Sequence, residues 1–140
     1  MMEDKKSYIQ NIEEVVLAVE DMDESVKLYE DLFGIEFDTE WEMPMDDMVV
    51  KSARIGETQF QIVKSTTPDG LIARFIQNNG EGIHHICFKV KDLKGMVDRL
   101  KSKGARIVPE EPIDFGGIAY AFVHPSSTHG LLIELLEMRE

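Results

Sequence analysis

Basic residues are scarce. Fifteen lysines and arginines stand against 27 aspartates and glutamates, a formal net charge of −12 at pH 7. A surface of that sign repels phosphate backbones and anionic membranes, which argues against nucleic-acid and membrane partners. It gives no general attraction to an anionic substrate either, so such a ligand needs a locally basic or metal-bearing pocket. Cysteine occurs once, at Cys87. No internal disulfide can form, which fits a reducing, cytoplasmic compartment. Cys87 lies in an apolar run and reads as a buried, inert thiol. Long apolar runs are missing as well: Met1 to Gln10 is polar and charged, without signal-peptide character, and no stretch approaches the ~20 residues of a membrane span. Close metal-ligand spacings of the H-x-x-x-H or C-x-x-C kind are also absent.

What is present is ordinary globular composition. The 140 residues are 43% hydrophobic and 30% charged, enough for one domain with a core. An internal repeat organises them. Ile12 to Met22 corresponds to Ile83 to Leu93 at a constant offset of 71 residues. Each copy begins as an alternating, β-branched-rich strand and turns at an acidic residue into a helix. The first helix is predicted from Asp23 to Phe33, with Asp21 and Glu24 as a capping box, an apolar stripe of Val26, Leu28, Tyr29, Leu32 and Phe33, and Gly34 as its stop. The second is predicted from Leu93 to Lys103, with Gly104 ending it. Strand signals follow at Ile35–Thr39, Met48–Ile55 and Thr58–Val63, and again at Ala105–Pro109, Ala119–His124 and Leu131–Leu136, with Gly56-Glu57 as a tight turn. Each half is therefore strand, helix, three strands. The first module spans residues 9–64 and the second residues 83–140. Residues 65–82 link them through a Pro68-Asp69-Gly70 turn and a short helical piece, Leu71 to Gln77. Neither half buries both sheet faces alone, so the two are expected to pair into a single domain over residues 1–140.

Strand alternation sorts the side chains into two faces. One carries Val15, Leu17 and Val19, Phe60 and Ile62, Ile86, Phe88 and Val90, and Leu131, Ile133 and Leu135; it should pack against helices. His84 falls there and reads as structural. The other face carries one strong donor per strand: Glu14, Gln61, His85 and Glu134. Under the repeat, Glu14 corresponds to His85 and Gln61 to Glu134. Any one of them reads as a solvent-facing residue. Four at related positions point to a common cation, which would offset the cost of burying two carboxylates. One imidazole and three oxygen donors suit a divalent metal such as Co, Mn, Ni or Zn.

Several stretches look familiar: Pro68-Asp69-Gly70-Leu71-Ile72-Ala73-Arg74-Phe75, Gly80-Glu81-Gly82-Ile83-His84-His85-Ile86-Cys87-Phe88, Glu111-Pro112, Gly116-Gly117, Phe122-Val123-His124-Pro125 and Gly130-Leu131-Leu132-Ile133-Glu134-Leu135. From about Ile12 to the C-terminus the chain resembles the vicinal-oxygen-chelate (glyoxalase) superfamily, and within it the methylmalonyl-CoA epimerases. That resemblance implies an α+β fold in which two tandem βαβββ modules form one eight-stranded, cup-shaped mixed sheet with helices outside, commonly as a homodimer. Glu14, Gln61, His85 and Glu134 occupy the family's metal-ligand slots. The implied reaction removes the proton beside an acyl-CoA thioester and returns it on the other face, through a metal-stabilised enolate. Glu134 is the ligand expected to take part in the proton transfer. Three positions depart from the epimerase pattern. Glu14 stands where a histidine is usual. Lys51 aligns with a flanking general base that is a glutamate in some members, with Glu42, Asp46 and Asp47 as nearby alternatives. Ile118 and Ala119 stand after Gly-Gly where a basic residue is common. A lactoylglutathione-lyase-like isomerase and a non-catalytic small-ligand-binding protein of the same fold are the competing readings. His124 and His129 read as structural. Met43, Met45 and Met48, near Trp41 and Phe37, are expected to line an apolar mouth.

Overall fold

Residues 8–139 are described by a computed structural model. In chain order they form β1 (Ile9–Ala18), α1 (Met22–Phe33), β2 (Thr39–Met43), β3 (Met48–Ile55), β4 (Thr58–Ser65), α2 (Leu71–Asn79), β5 (Gly82–Val90), α3 (Leu93–Ser102), β6 (Ile107–Phe115), β7 (Ile118–Val123) and β8 (Ile133–Met138). The α+β class, the eight strands and the repeated βαβββ order are those read from the sequence. Two compact units result. One is Glu14–His84; the other comprises residues 8–13 and residues 85–139.

In Glu14–His84 the strand order is β2-β3-β4-β1, with β1 and β4 parallel and the remaining pairs antiparallel. Helix α1 starts where the Asp21 side chain accepts the Glu24 N–H at 3.0 Å, a cap worth about 1 kcal/mol. It stops at Gly34, whose φ of 70° is a left-handed conformation that glycine adopts without a Cβ clash. Its inner face sets Met22, Val26 and Tyr29 against Val19, Leu17, Phe60 and Ile62. Ile62 is fully buried, and hiding such a side chain contributes about 2 kcal/mol. The buried stripe is narrower than expected: Leu28, Leu32 and Phe33 are exposed. The first strand after α1 also differs, forming at Thr39–Met43 rather than Ile35–Thr39. Its place is set by pairing with β3, Thr39 opposite Ser52 and Met43 opposite Met48, and every one of its residues is exposed.

The linker helix is more than a connector. From α2, Ile72, Phe75 and Ile76 pack over Val16, Ala18, Met48, Val50 and Val63, on the sheet face turned away from α1. One end of that face is thereby closed. The other end keeps its polar side chains. Phe75 also meets His84 edge-on, ring centroids 4.9 Å apart, in keeping with a structural histidine.

In the second unit the strand order is β5-β8-β7-β6, with β5 and β8 parallel. Helix α3 is capped by Asp92, which accepts the Gly95 N–H at 3.1 Å, and by the Glu137 carboxylate, which accepts the Leu93 N–H at 2.7 Å. Leu93 and Val97, with Met96 and Leu100 beside them, pack on Val90, Ile107, Ala119, Ala121, Val123 and Leu135. The face opposite α3 is left to His85, Cys87 and Glu134 and to the aromatic residues of β7.

Candidate active site

The parallel pairing of β1 with β4 puts Glu14 level with Gln59 and Val16 level with Gln61. Glu14 and Gln61 are thus diagonal neighbours on one face, their Cα atoms about 8 Å apart by strand spacing and rise. Gln61 is only 7% exposed, and Ser52, directly across from it on β3, is 1% exposed. The Ser52 hydroxyl donates to the Gln59 side-chain oxygen at 2.8 Å, which fixes the Gln59 amide beside Gln61 on the same face. Neither Gln59 nor Ser52 is among the donors read from the sequence. The two-residue turn Gly56-Glu57 sets the hairpin register and was the available signal for both.

The second unit repeats this diagonal. Cys87 lies level with Glu134, and Ile86 donates its N–H to the Leu132 carbonyl at 3.2 Å. His85 is therefore level with Leu132 and diagonal to Glu134, as Glu14 is to Gln61. The repeat seen in sequence extends to the register of its donors. Here the side chains meet: His85 Nε2 is 3.3 Å from Glu134 Oε1, and both side chains are about 15% exposed (15% and 16%). Phe122, directly across from Glu134 on β7, meets the His85 ring edge-on at 6.1 Å and in turn packs against Tyr120. Cys87 Sγ lies within 4.8 Å of a Glu134 carboxylate oxygen. Cys87 is buried, as expected, but on the donor face.

The donor chemistry fits a divalent cation. Two adjacent ligands of a first-row metal, with bonds near 2.0–2.2 Å, lie roughly 3.0–3.4 Å apart, and the His85–Glu134 separation is of that size. Imidazole nitrogen, carboxylate oxygen and amide oxygen are all ligand types such an ion accepts.

Lys51 does not join the donors. The β3–β4 register puts it opposite Ile62, on the α1 face, one residue out of phase with Ser52 and Gln61. Its ammonium lies 3.7 Å from Glu40. Glu42 shares the Lys51 face, being opposite Val49, and Asp46 and Asp47 are exposed in the turn before β3. The flanking-base role expected for Lys51 is therefore corrected: one step of strand alternation turns its side chain away. Lys51→Ala is expected to leave turnover within about twofold of wild type, since a partly exposed ion pair of this kind is worth about 0–1 kcal/mol; steady-state kinetics checks it. The expected methionine mouth is also rearranged. Phe37 packs on Phe60 beneath α1, Met48 is buried under α2, and Met45 is almost wholly exposed. His124 accepts the Ser126 N–H at 3.0 Å and caps the short turn that follows, a structural role.

The Glyoxalase/Bleomycin resistance protein/Dioxygenase superfamily matches residues 11–135. An ethylmalonyl-CoA/methylmalonyl-CoA epimerase of Cereibacter sphaeroides is 31% identical over 130 residues, covering 91% of this chain and 97% of that one. A crystal structure of methylmalonyl-CoA epimerase from Mycobacterium tuberculosis is similar with a TM-score of 0.82 at 28% identity, over 96% of this chain and 91% of that one. A variant of Streptomyces coelicolor methylmalonyl-CoA epimerase in complex with 2-nitronate-propionyl-CoA is similar with a TM-score of 0.81 at 26% identity, over 93% and 95%.

Proposed function

Because the chain belongs to the Glyoxalase/Bleomycin resistance protein/Dioxygenase superfamily, we propose that it is a metal-dependent epimerase that moves the proton beside the thioester of a methylmalonyl-CoA-like substrate. The observation that carries this reading is the pair His85–Glu134, held at 3.3 Å and repeated in register by Glu14 and Gln61. The related Cereibacter sphaeroides protein is named for that reaction.

In this reading Glu14, Gln61, His85 and Glu134 hold one divalent cation, with Co, Mn, Ni and Zn as the candidates. When bound, the ion supplies positive charge to the oxygens on which negative charge develops as the proton leaves. The protein does the rest. The Ser52–Gln59 hydrogen bond orders the polar face beside Gln61. Phe122 excludes water from one side of His85 and Glu134, which strengthens every electrostatic contact there. The Glu134 carboxylate takes the C2 proton from one face of the acyl group; inversion is completed when a second donor, water or another side chain, protonates the opposite face, and Glu134 then gives its proton to solvent. Expulsion of water also protects the enolate from side reactions. The same reading carries a homodimer in the cytoplasm, where the lone Cys87 stays reduced. Among the described residues no helix is long and apolar enough to cross a membrane.

The experiment is solvent-deuterium wash-in at C2 of methylmalonyl-CoA, followed by NMR, with metal-loaded and metal-stripped protein. Label should enter with the loaded protein and not with the stripped one. An unlabelled CoA thioester together with turnover of a glutathione hemithioacetal would replace the reading with a lactoylglutathione-lyase-like isomerase. Binding without turnover of either would make the protein a ligand carrier.

A further inference from the structure

Two carboxylates, Glu14 and Glu134, cancel the charge of a divalent cation. In that reading a substrate that brings its own carboxylate meets no net positive charge at the ligands before its proton moves. The chain as a whole, at −12, makes up none of that deficit. Arg54 does. On β3 it lies opposite Gln59, and Gln59 lies level with Glu14, so Arg54, Gln59 and Glu14 form one row across three strands. The row places the Arg54 Cα about 10 Å from that of Glu14, two strand spacings away, within reach of a long side chain and a small acyl group between them. Across β1 to β4 the registers leave Arg54 as the only basic residue on this face; Lys51 and Lys64 fall on the other. Its guanidinium is exposed and touches the Gly56 carbonyl at 3.4 Å, and among the described residues it forms no ion pair.

We propose that Arg54 recognises the free carboxylate of the acyl group and so restricts the enzyme to 2-carboxyacyl thioesters. The proposal rests on the epimerase reading above. A guanidinium presents paired N–H donors that match the two oxygens of a carboxylate, which an ammonium does not. Its place in the row of Glu14 favours the acyl carboxylate over the phosphates of the carrier, which lie at the far end of a long arm.

The test compares binding of methylmalonyl-CoA and propionyl-CoA, which lacks the carboxylate, to metal-loaded wild type, Arg54→Gln and Arg54→Lys by calorimetry. Wild type should prefer methylmalonyl-CoA. Arg54→Gln should cut that preference about tenfold or more, the scale of a charge-assisted pair, leave propionyl-CoA affinity unchanged, and be partly rescued by lysine. Equal weakening of both thioesters would assign Arg54 to a carrier phosphate and overturn the proposal. An unchanged preference would overturn it too, while leaving the epimerase reading intact. Failure of wild type to bind either thioester would sink the epimerase reading, and this proposal with it.

Discussion

His85→Ala is expected to lower kcat/KM for methylmalonyl-CoA by about a thousandfold or more, the scale on which removal of a transition-state charge stabiliser is felt. The imidazole stands 3.3 Å from Glu134 and is the only nitrogen donor in the proposed set. Without it the two carboxylates and one amide form an all-oxygen site that holds late first-row ions more weakly. Stability should change little. The residue lies on the donor face, outside the cluster of Val90, Leu93, Val97 and Leu135 that holds its unit together. The prediction is therefore a collapse of turnover with thermal unfolding within a few degrees of wild type, which kinetics and calorimetry read on the same preparation. Turnover within tenfold of wild type would place the site elsewhere.

Glu134→Gln separates binding from chemistry. An amide oxygen remains where a carboxylate oxygen was, and Gln61 in the other unit occupies the equivalent diagonal with that same group. Metal affinity should weaken and survive. Proton abstraction should not, because a neutral amide has no basic oxygen at the pH of the reaction. A loss of about 10³–10⁴ in kcat, with KM within a few-fold, is the expected size for a general base. Deuterium wash-in at C2 should fall in parallel. Wash-in at the wild-type rate would remove Glu134 from the proton transfer and leave it a ligand only.

Much of this was legible because the signals were local. The offset of 71 residues, the cap at Asp21 and the stops at Gly34 and Gly104 each follow from a few neighbouring residues. The donor faces were legible as well, since alternation within β1, β4, β5 and β8 is short-range. Three features were not. The place of β2 is decided by its partner β3; all its side chains are exposed, so hydrophobic periodicity carries nothing there. The packing of α2 over Val16 and Val63 is long-range and belongs to a helix outside the repeat. Lys51 is a different case. Its face could have been counted from the Gly56-Glu57 turn, which pairs Ile55 with Thr58 and hence Lys51 with Ile62. The same count finds Arg54 opposite Gln59.

The most direct measurement is calorimetric titration of the metal-stripped protein with Co, Mn, Ni and Zn salts, in wild type and with each of Glu14, Gln61, His85 and Glu134 changed to alanine. One divalent ion per chain is predicted for wild type. Each variant should bind at least tenfold more weakly, as loss of one ligand from a four-residue set requires. A wild-type chain that takes up no ion, or one that binds a single ion with the same affinity in all four variants, would contradict the shared cation on which the proposed chemistry depends.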